Sequence, residues 1–208
     1  MQTAIITTVR FPRTLENTLT SIRDAGCEKG PVVFEDMIQD GCYRHWKFAV
    51  AQMLQAFPDE SQFLICEDDC EFSSGLFAYL PAAGEGDIYS PYCAAPNPGE
   101  FGFCGWVKIH PRRLYGALCL LMHRKTIERF LRCNLMKDSP NGTDVAIRKF
   151  CMQEQVAFHV HSPSLVKHTG EVSVVNKGVS CNEHFRQCQA FAGEISVDKG
   201  AKSIWHRS

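Results

Sequence analysis

The sequence predicts an α/β fold: a single Rossmann-like domain with a mostly parallel central sheet flanked by helices. Three short apolar segments, at residues 3–9, 31–34 and 63–66, have the composition of buried strands. They alternate with two segments of helical periodicity, and this strand–helix order is typical of parallel strands covered by helices. A chain of 208 residues, 45% of them hydrophobic and 22% charged, is long enough to bury one large core.

Both predicted helices between these strands have an apolar face and end signals. In the first, Leu15, Leu19 and Ile22 share a face, Thr14 is expected to cap the start and Gly26 follows the end. In the second, Pro58 follows an apolar face that is made by Trp46, Val50, Met53, Leu54 and Phe57.

The rest of the chain has shorter patterns. In chain order they predict loops over 81–105 with a strand near Ile88, a strand at 114–122, a helix at 126–135, a helix from Thr143 or Asp144 to about Met152, and a strand at 156–161. Beyond Gly170 we expect a loop and a tail, with at most a short helix near 182–191.

Composition excludes a mainly disordered, collagenous or coiled-coil chain. An apolar run such as residues 117–122 is far shorter than the roughly 20 residues that cross a bilayer, so no membrane partner is expected. The N-terminus lacks the pattern of a signal peptide, and 11 cysteines are an odd number for a disulfide framework. We therefore expect a reduced, cytoplasmic protein, located in the host cytoplasm if a virus encodes it.

Charge is distributed unevenly although the net charge is only −1. Residues 59–100 contain nine acids and no Lys or Arg, whereas residues 108–137 contain eight Lys or Arg and one acid. The acidic stretch could hold a cation and the basic stretch could face an anionic partner. Two solvated faces of opposite sign are the more common outcome.

Three features are candidates for chemistry. Glu67, Asp68 and Asp69 directly follow a buried strand, where ligands bind in open α/β sheets, and carboxylates with a diphosphate can hold Mg²⁺. His168 could complete the coordination of a metal, and Asp144 at a helix start could act as a base. By themselves, the three features are better explained as an acidic turn, a structural histidine and a helix cap.

Their order along the chain resembles the GT-A class of nucleotide-sugar glycosyltransferases, including small virus- or bacteria-encoded ones. The run from Phe63 to Leu76 is similar to the metal motif of that class, in the variant Glu-Asp-Asp of Asp-x-Asp. The other matching pieces are a strand leading to Arg10, a strand ending near Asp36, Gly116-Ala117, Asp144 at a helix start, and the segment Pro163 to Gly170. The resemblance covers about residues 3–173, so we expect a glycosyltransferase domain over 1–173 and a tail over 174–208 that packs on or closes over the site.

The resemblance implies a role for each matching residue. Thr8 and Arg10 would contact the nucleotide, Asp36 would contact the nucleoside, and Asp68 would contact the ribose or sugar. Asp69 and His168 would bind the metal, and Asp144 would be the general base. The donor sugar and acceptor would be lined by Tyr115, Gly116 and Ala117. From position alone, Lys177 or Arg186 could fold over the phosphates.

The function implied is sugar transfer from a nucleoside diphosphate sugar, expected to be a UDP-sugar, with Mn²⁺ or Mg²⁺ and with inversion. The acceptor hydroxyl would lie on a glycan, on a protein or on a hydroxymethylated base in DNA. DNA is included because a basic segment with Trp106, Lys108 and Arg112 adjoins the acceptor region. The arginines of the helix at 126–135, together with Arg124, are better explained as a solvated face.

Two other functions stay open. A nucleotidyltransferase can share this chemistry, although the loop at 9–13 lacks the glycines that cradle a triphosphate. A non-catalytic module could bind zinc through Cys181, His184 and Cys188 together with His159, His161 or His168.

Overall fold

The computed structural model describes residues 1–8, 12–37, 41–93, 105–133 and 142–169, without the side chains of residues 8, 12 and 13. The strands are β1 (Gln2–Thr8), β2 (Val32–Asp36), β3 (Gln62–Glu67), β4 (Cys70–Phe72), β5 (Asp87–Ser90), β6 (Gly105–Ile109), β7 (Cys119–His123), β8 (Ala157–Ser162) and β9 (Val166–His168). The helices are α1 (Pro12–Asp24), α2 (Cys42–Ala56), α3 (Leu76–Tyr79), α4 (Arg124–Arg132) and α5 (Thr143–Gln153). No helix in the described ranges is both long and apolar enough to cross a membrane.

Seven strands form the central sheet in the order β2-β1-β3-β7-β5-β8-β6. Strands β1, β2, β3, β5 and β8 run in one direction, whereas β7 is antiparallel to both of its neighbours and β6 is antiparallel to β8. The predicted mostly parallel sheet is therefore confirmed. Strands β4 and β9 form a separate antiparallel pair.

Apolar side chains cover both faces of this sheet. On one face, α2, α4 and α5 meet around Phe130, whose ring centroid lies 5.3 Å from that of Trp46 and 5.2 Å from that of Phe150. On the other face, Ile22 of α1 and Leu76 of α3 pack with residues of the β4–β9 pair.

The sequence predictions are wrong at several boundaries. Helix α1 begins at Pro12, so Thr14 lies inside its first turn and is not the cap; proline is favoured at a helix start, because the first N–H groups have no helical partner. The strand predicted at 114–122 covers Cys119–His123 only, since Gly116 has φ +74° and interrupts extended backbone. The strand near Ile88 is confirmed as β5. The short helix near 182–191 lies outside the described residues.

Arg124 belongs to the interior framework and not to a solvated face. Its guanidinium donates to the carbonyl oxygens of Leu54 at 3.3 Å, Glu60 at 2.8 Å and Phe57. It also lies 5.3 Å from the ring centroid of Phe63. The bonds to Leu54 and Phe57 satisfy carbonyls at the end of α2 that have no helical partners.

We predict that Arg124→Lys destabilises the protein, because one ammonium group cannot reach all of these carbonyls from a single point. Leaving a carbonyl without a partner costs up to about 1–3 kcal/mol, which lowers the melting temperature by roughly 2–12 °C. Thermal unfolding measures the change. Arg132→Met on the exposed side of α4 is the control and should leave the melting temperature nearly unchanged. Equal melting temperatures for Arg124→Lys and the wild type would contradict the role of Arg124.

Candidate functional site

The carboxyl ends of the parallel strands bring the predicted residues to one edge of the sheet. In the register of β1, Thr8 lies beside Asp36 of β2, and Ile6 lies beside Glu67 of β3. Asp36 is buried, with 5% of its surface exposed. This edge is where ligands bind in open α/β sheets. Arg10 lies outside the described residues.

Pairing of β4 with β9 joins Asp69 and His168, which are 99 residues apart in the chain. Nε2 of His168 lies 2.9 Å from Oδ2 of Asp69. The N–H of Thr169 donates to the carbonyl oxygen of Asp69 at 2.8 Å. The structure therefore brings the two expected metal ligands into direct contact.

One carboxylate oxygen of Asp69 has no partner among the described residues. Oδ1 is buried and makes no hydrogen bond. A buried carboxylate oxygen without a partner is costly, and a bound cation would remove that cost. Carboxylate oxygen and imidazole nitrogen both ligate Mn²⁺, so this pair fits a divalent cation. No group of three or more His, Cys, Asp or Glu side chains in the described ranges is arranged to hold a metal. A cation held by this pair would therefore need further ligands from a substrate or water.

Asp68 points to a different neighbour. The hydroxyl of Thr7, in β1, donates to Oδ2 of Asp68 at 2.5 Å. The carboxylates of these two adjacent residues therefore point apart: that of Asp68 points towards the end of β1, and that of Asp69 points towards β9. Sequence reasoning did not single out Thr7, which looks like any β-branched residue of a buried strand.

Gly116 and Ala117 lie beside the triplet. The N–H of Glu67 donates to the carbonyl oxygen of Leu118 at 2.8 Å, which ties this segment to the end of β3. Gly116 has φ +74°, and a Cβ there would lie 3.3 Å from the ring of Tyr92. The glycine is needed for both the turn and the close approach.

Asp144 lies in the first turn of α5, where its Oδ1 accepts the N–H of Val145 at 2.9 Å. A Cβ on Gly142, which has φ +53°, would lie only 2.7 Å from that oxygen. The glycine therefore leaves room for the carboxylate. The N-cap of α5 is Gly142, so Asp144 is not the cap considered from the sequence, but this contact fixes the direction of its carboxylate.

Comparison with solved structures finds a similar fold. A glycosyltransferase involved in the glycosylation of the major capsid of PBCV-1 is similar with a TM-score of 0.55 and 10% identity, over 83% of this chain and 95% of that chain. The chain has a GT-A fold. At this identity the likeness establishes the fold alone.

Two further structures match less well. A197 from STIV has a TM-score of 0.49 at 13% identity, over 80% of this chain and 84% of that chain. A mutant of Drosophila beta-1,4-galactosyltransferase 7, in complex with manganese, UDP-Gal and xylobiose, has a TM-score of 0.45 at 11% identity, over 98% and 78%. No protein-family model and no curated protein sequence matches the chain.

Two histidines considered for zinc have other contacts in this GT-A fold. Nε2 of His159 lies 3.0 Å from Oδ1 of Asp87, and Nδ1 of His161 lies 2.7 Å from the carbonyl oxygen of Pro163. Burial lowers the pKa of His161, so it is neutral at neutral pH. The cysteines of the zinc hypothesis, together with Lys177 and Arg186, lie outside the described residues.

Cys42 is a residue that sequence reasoning missed. It begins α2 at the same edge of the GT-A fold as the triplet. Burial raises the pKa of its thiol, the negative charges of Glu67 and Asp144 raise it further, and the backbone N–H groups of Thr143 and Tyr43 act in the opposite direction. The thiol therefore lies in one electrostatic neighbourhood with both carboxylates. Its position at a helix start after Gly41 was the available signal.

We predict that Asp144→Asn lowers the pKa of Cys42, because removal of a nearby negative charge stabilises the thiolate. Alkylation of Cys42 by iodoacetamide, which requires the thiolate, should therefore become faster at pH 8. Peptide mass spectrometry measures the rate at this cysteine. Asp59→Asn, at an exposed position before β3, should leave the rate unchanged. Equal rates in Asp144→Asn and the wild type would place Asp144 away from this neighbourhood.

Proposed function

We propose that this chain is a metal-dependent glycosyltransferase that moves a sugar from a nucleoside diphosphate sugar to an acceptor hydroxyl. The observation that carries the proposal is the buried, unpartnered Oδ1 of Asp69 beside His168, at the ligand-binding edge of a GT-A fold. The fold likeness to a glycosyltransferase supports the general class. We further propose a UDP-sugar as donor.

Asp69 and His168 would hold Mn²⁺ or Mg²⁺ in this proposal. The metal would act as a Lewis acid that neutralises the diphosphate leaving group. Oxygens of the diphosphate and water complete such sites in other proteins, because Mg²⁺ is usually bound by few carboxylates plus substrate phosphates. Only two protein ligands are then required, which agrees with the pair in the described residues.

The nucleotide would lie across the ends of β1 and β2. We assign Thr8 and Arg10 to contacts with the nucleotide and Asp36 to the nucleoside. The hydrogen bond from Thr7 orients Asp68, which we assign to the ribose or the sugar. We assign Gly116 and Ala117 to the lining of the donor sugar.

Asp144 would accept the proton of the attacking acceptor hydroxyl. Its carboxylate is oriented by the N–H of Val145 and shares a neighbourhood with Glu67. A base on the face of the sugar opposite the leaving group gives inversion at the anomeric carbon. A positioned base typically contributes about 10²–10⁴-fold to the rate.

We propose a glycan or protein hydroxyl as the acceptor. Trp106 is engaged in packing: its Nε1 donates to the carbonyl oxygen of Tyr79, and its ring lies edge-on to those of Tyr89 and His161. Arg124 is engaged with backbone carbonyls. These contacts leave less of the basic segment for a DNA strand, so modified DNA becomes the second acceptor to assay.

Thermal unfolding with UDP, GDP, CDP and dTDP, each with Mn²⁺ and then with EDTA, tests the donor site. A ligand at a hundred times its dissociation constant stabilises by about 2.7 kcal/mol, or roughly 5–10 °C for a domain of this size. A shift with UDP that EDTA abolishes is the expected result. Stabilisation by triphosphates alone, with pyrophosphate release from a triphosphate and a sugar phosphate, would favour a nucleotidyltransferase instead.

Asp69→Asn should abolish the metal-dependent shift with UDP, because the amide removes the charge that the cation needs while keeping the shape. His159→Gln is the matched control: it alters a histidine–aspartate pair elsewhere in the sheet and should retain the shift. A full Mn²⁺-dependent shift in Asp69→Asn would refute the assignment of the metal site.

Asp144→Asn should reduce sugar transfer by about 10²-fold or more and leave the UDP-dependent shift intact, since it removes the base but not the donor site. Release of UDP in the presence of candidate acceptors measures the rate. Transfer at a rate near that of the wild type would show that Asp144 is not the base.

A further inference from the structure

Strand β4, which directly follows the acidic triplet, is hydrogen-bonded along both edges. On one edge, the carbonyl oxygen of Asp69 accepts the N–H of Thr169 at 2.8 Å, and the N–H of Ser73 donates to the carbonyl oxygen of Leu165 at 3.0 Å. Backbone groups of successive strand residues face opposite sides. The groups of the even-numbered residues 68, 70 and 72 therefore face away from β9.

Helix α1 occupies that second edge in place of a third strand. The hydroxyl of Thr18 accepts the N–H of Cys70 at 3.1 Å and lies 2.7 Å from the carbonyl oxygen of Asp68 and 2.9 Å from that of Cys70. Three residues further along the same helix face, the hydroxyl of Ser21 accepts the N–H of Phe72 at 2.7 Å. These two side-chain hydroxyls thus make the hydrogen bonds that the backbone of a neighbouring strand would make.

Thr18 holds the two peptide groups that flank Asp69. The carbonyl of Asp68 belongs to the peptide group before Asp69, and the N–H of Cys70 belongs to the one after it. The carbonyl of Asp69 itself is held from the opposite side by Thr169. Rotation of the Asp69 backbone would break at least one of these bonds. Thr18 has 0% of its surface exposed, so water cannot take its place.

We propose that Thr18 is a positioning residue of the metal site. Its hydroxyl fixes the backbone of Asp69, so that one carboxylate oxygen faces His168 and the other stays available to a divalent cation. Thr18 does not touch the cation and acts only through Asp69. The inference rests on the proposed function for the presence of the cation.

Ser21 provides a matched control within the same helix. Its hydroxyl bonds to the same strand, and its removal also leaves a strand N–H without a partner. It fixes Phe72, however, three residues beyond Asp69. A merely structural role for Thr18 predicts that loss of either hydroxyl has the same consequence, whereas a positioning role predicts an effect on the cation from Thr18 alone.

The experiment compares full-length wild type, Thr18→Val, Thr18→Ser and Ser21→Ala. Electron paramagnetic resonance of unbound Mn²⁺ gives the dissociation constant of Mn²⁺ with and without UDP, and thermal unfolding without metal gives the stability of each variant. Thr18→Val, which keeps the shape and loses the hydroxyl, should weaken Mn²⁺ binding about 10-fold or more, as loss of outer contacts to metal ligands typically does. Thr18→Ser and Ser21→Ala should bind Mn²⁺ like the wild type.

Different failures have different meanings. Wild-type Mn²⁺ affinity in Thr18→Val would overturn the positioning role and leave the proposed function intact. Equal weakening in Thr18→Val and Ser21→Ala would also overturn it, because general loosening of β4 would then be the cause. A wild-type protein that binds no Mn²⁺ with or without UDP would overturn the proposed function and this inference together. If Thr18→Val does not fold, Thr18→Cys replaces it. Its thiol is a weak hydrogen-bonding group, so its Mn²⁺ affinity should be lower than that of the wild type and of Thr18→Ser, but still measurable. Wild-type Mn²⁺ affinity in Thr18→Cys would overturn the role.

Discussion

The antiparallel pairing of β4 with β9 is the constraint on which the candidate site depends. It places a histidine next to a carboxylate that lies 99 residues earlier in the chain, at 2.9 Å. Three successive carboxylates repel each other, and separation of Asp68 and Asp69 towards different partners reduces that repulsion. Helix α1 bonds to the outer edge of β4, and apolar residues of both strands are buried against the sheet, which supports the pairing.

The sequence predicts the framework well where elements are long and periodic. The runs that became β1, β3 and α2 have clear apolar patterns, and their alternation is enough to predict a parallel sheet. Strands β4 and β9 have three residues each, which is too few for an alternation to be recognised. Strand β7 has a strong apolar pattern, but its reversed direction depends on neighbours on both sides and not on its own residues.

Site residues were predictable to the degree that their chemistry is distinctive. Asp69 and His168 were expected to meet because their ordered set resembles a known class, and the structure brings them together. Thr18 has no distinctive sequence pattern, since a threonine inside an amphipathic helix is common. Its bonds go to backbone atoms, which have no sequence signature. Cys42 is similar: its environment is created by two helix starts and two carboxylates that only the folded chain brings close.

The origin of the site residues also has a consequence for synthesis of the chain. Strands β1, β2 and β3 are neighbours in the sheet, and together with the acidic triplet they are complete once residue 69 has been made. Asp144 in α5 and His168 in β9 come much later in the chain. Since domains fold during translation from the N-terminal side, a nascent chain displays its carboxylates long before their partners exist. The complete site can therefore form only after residue 168 has been made.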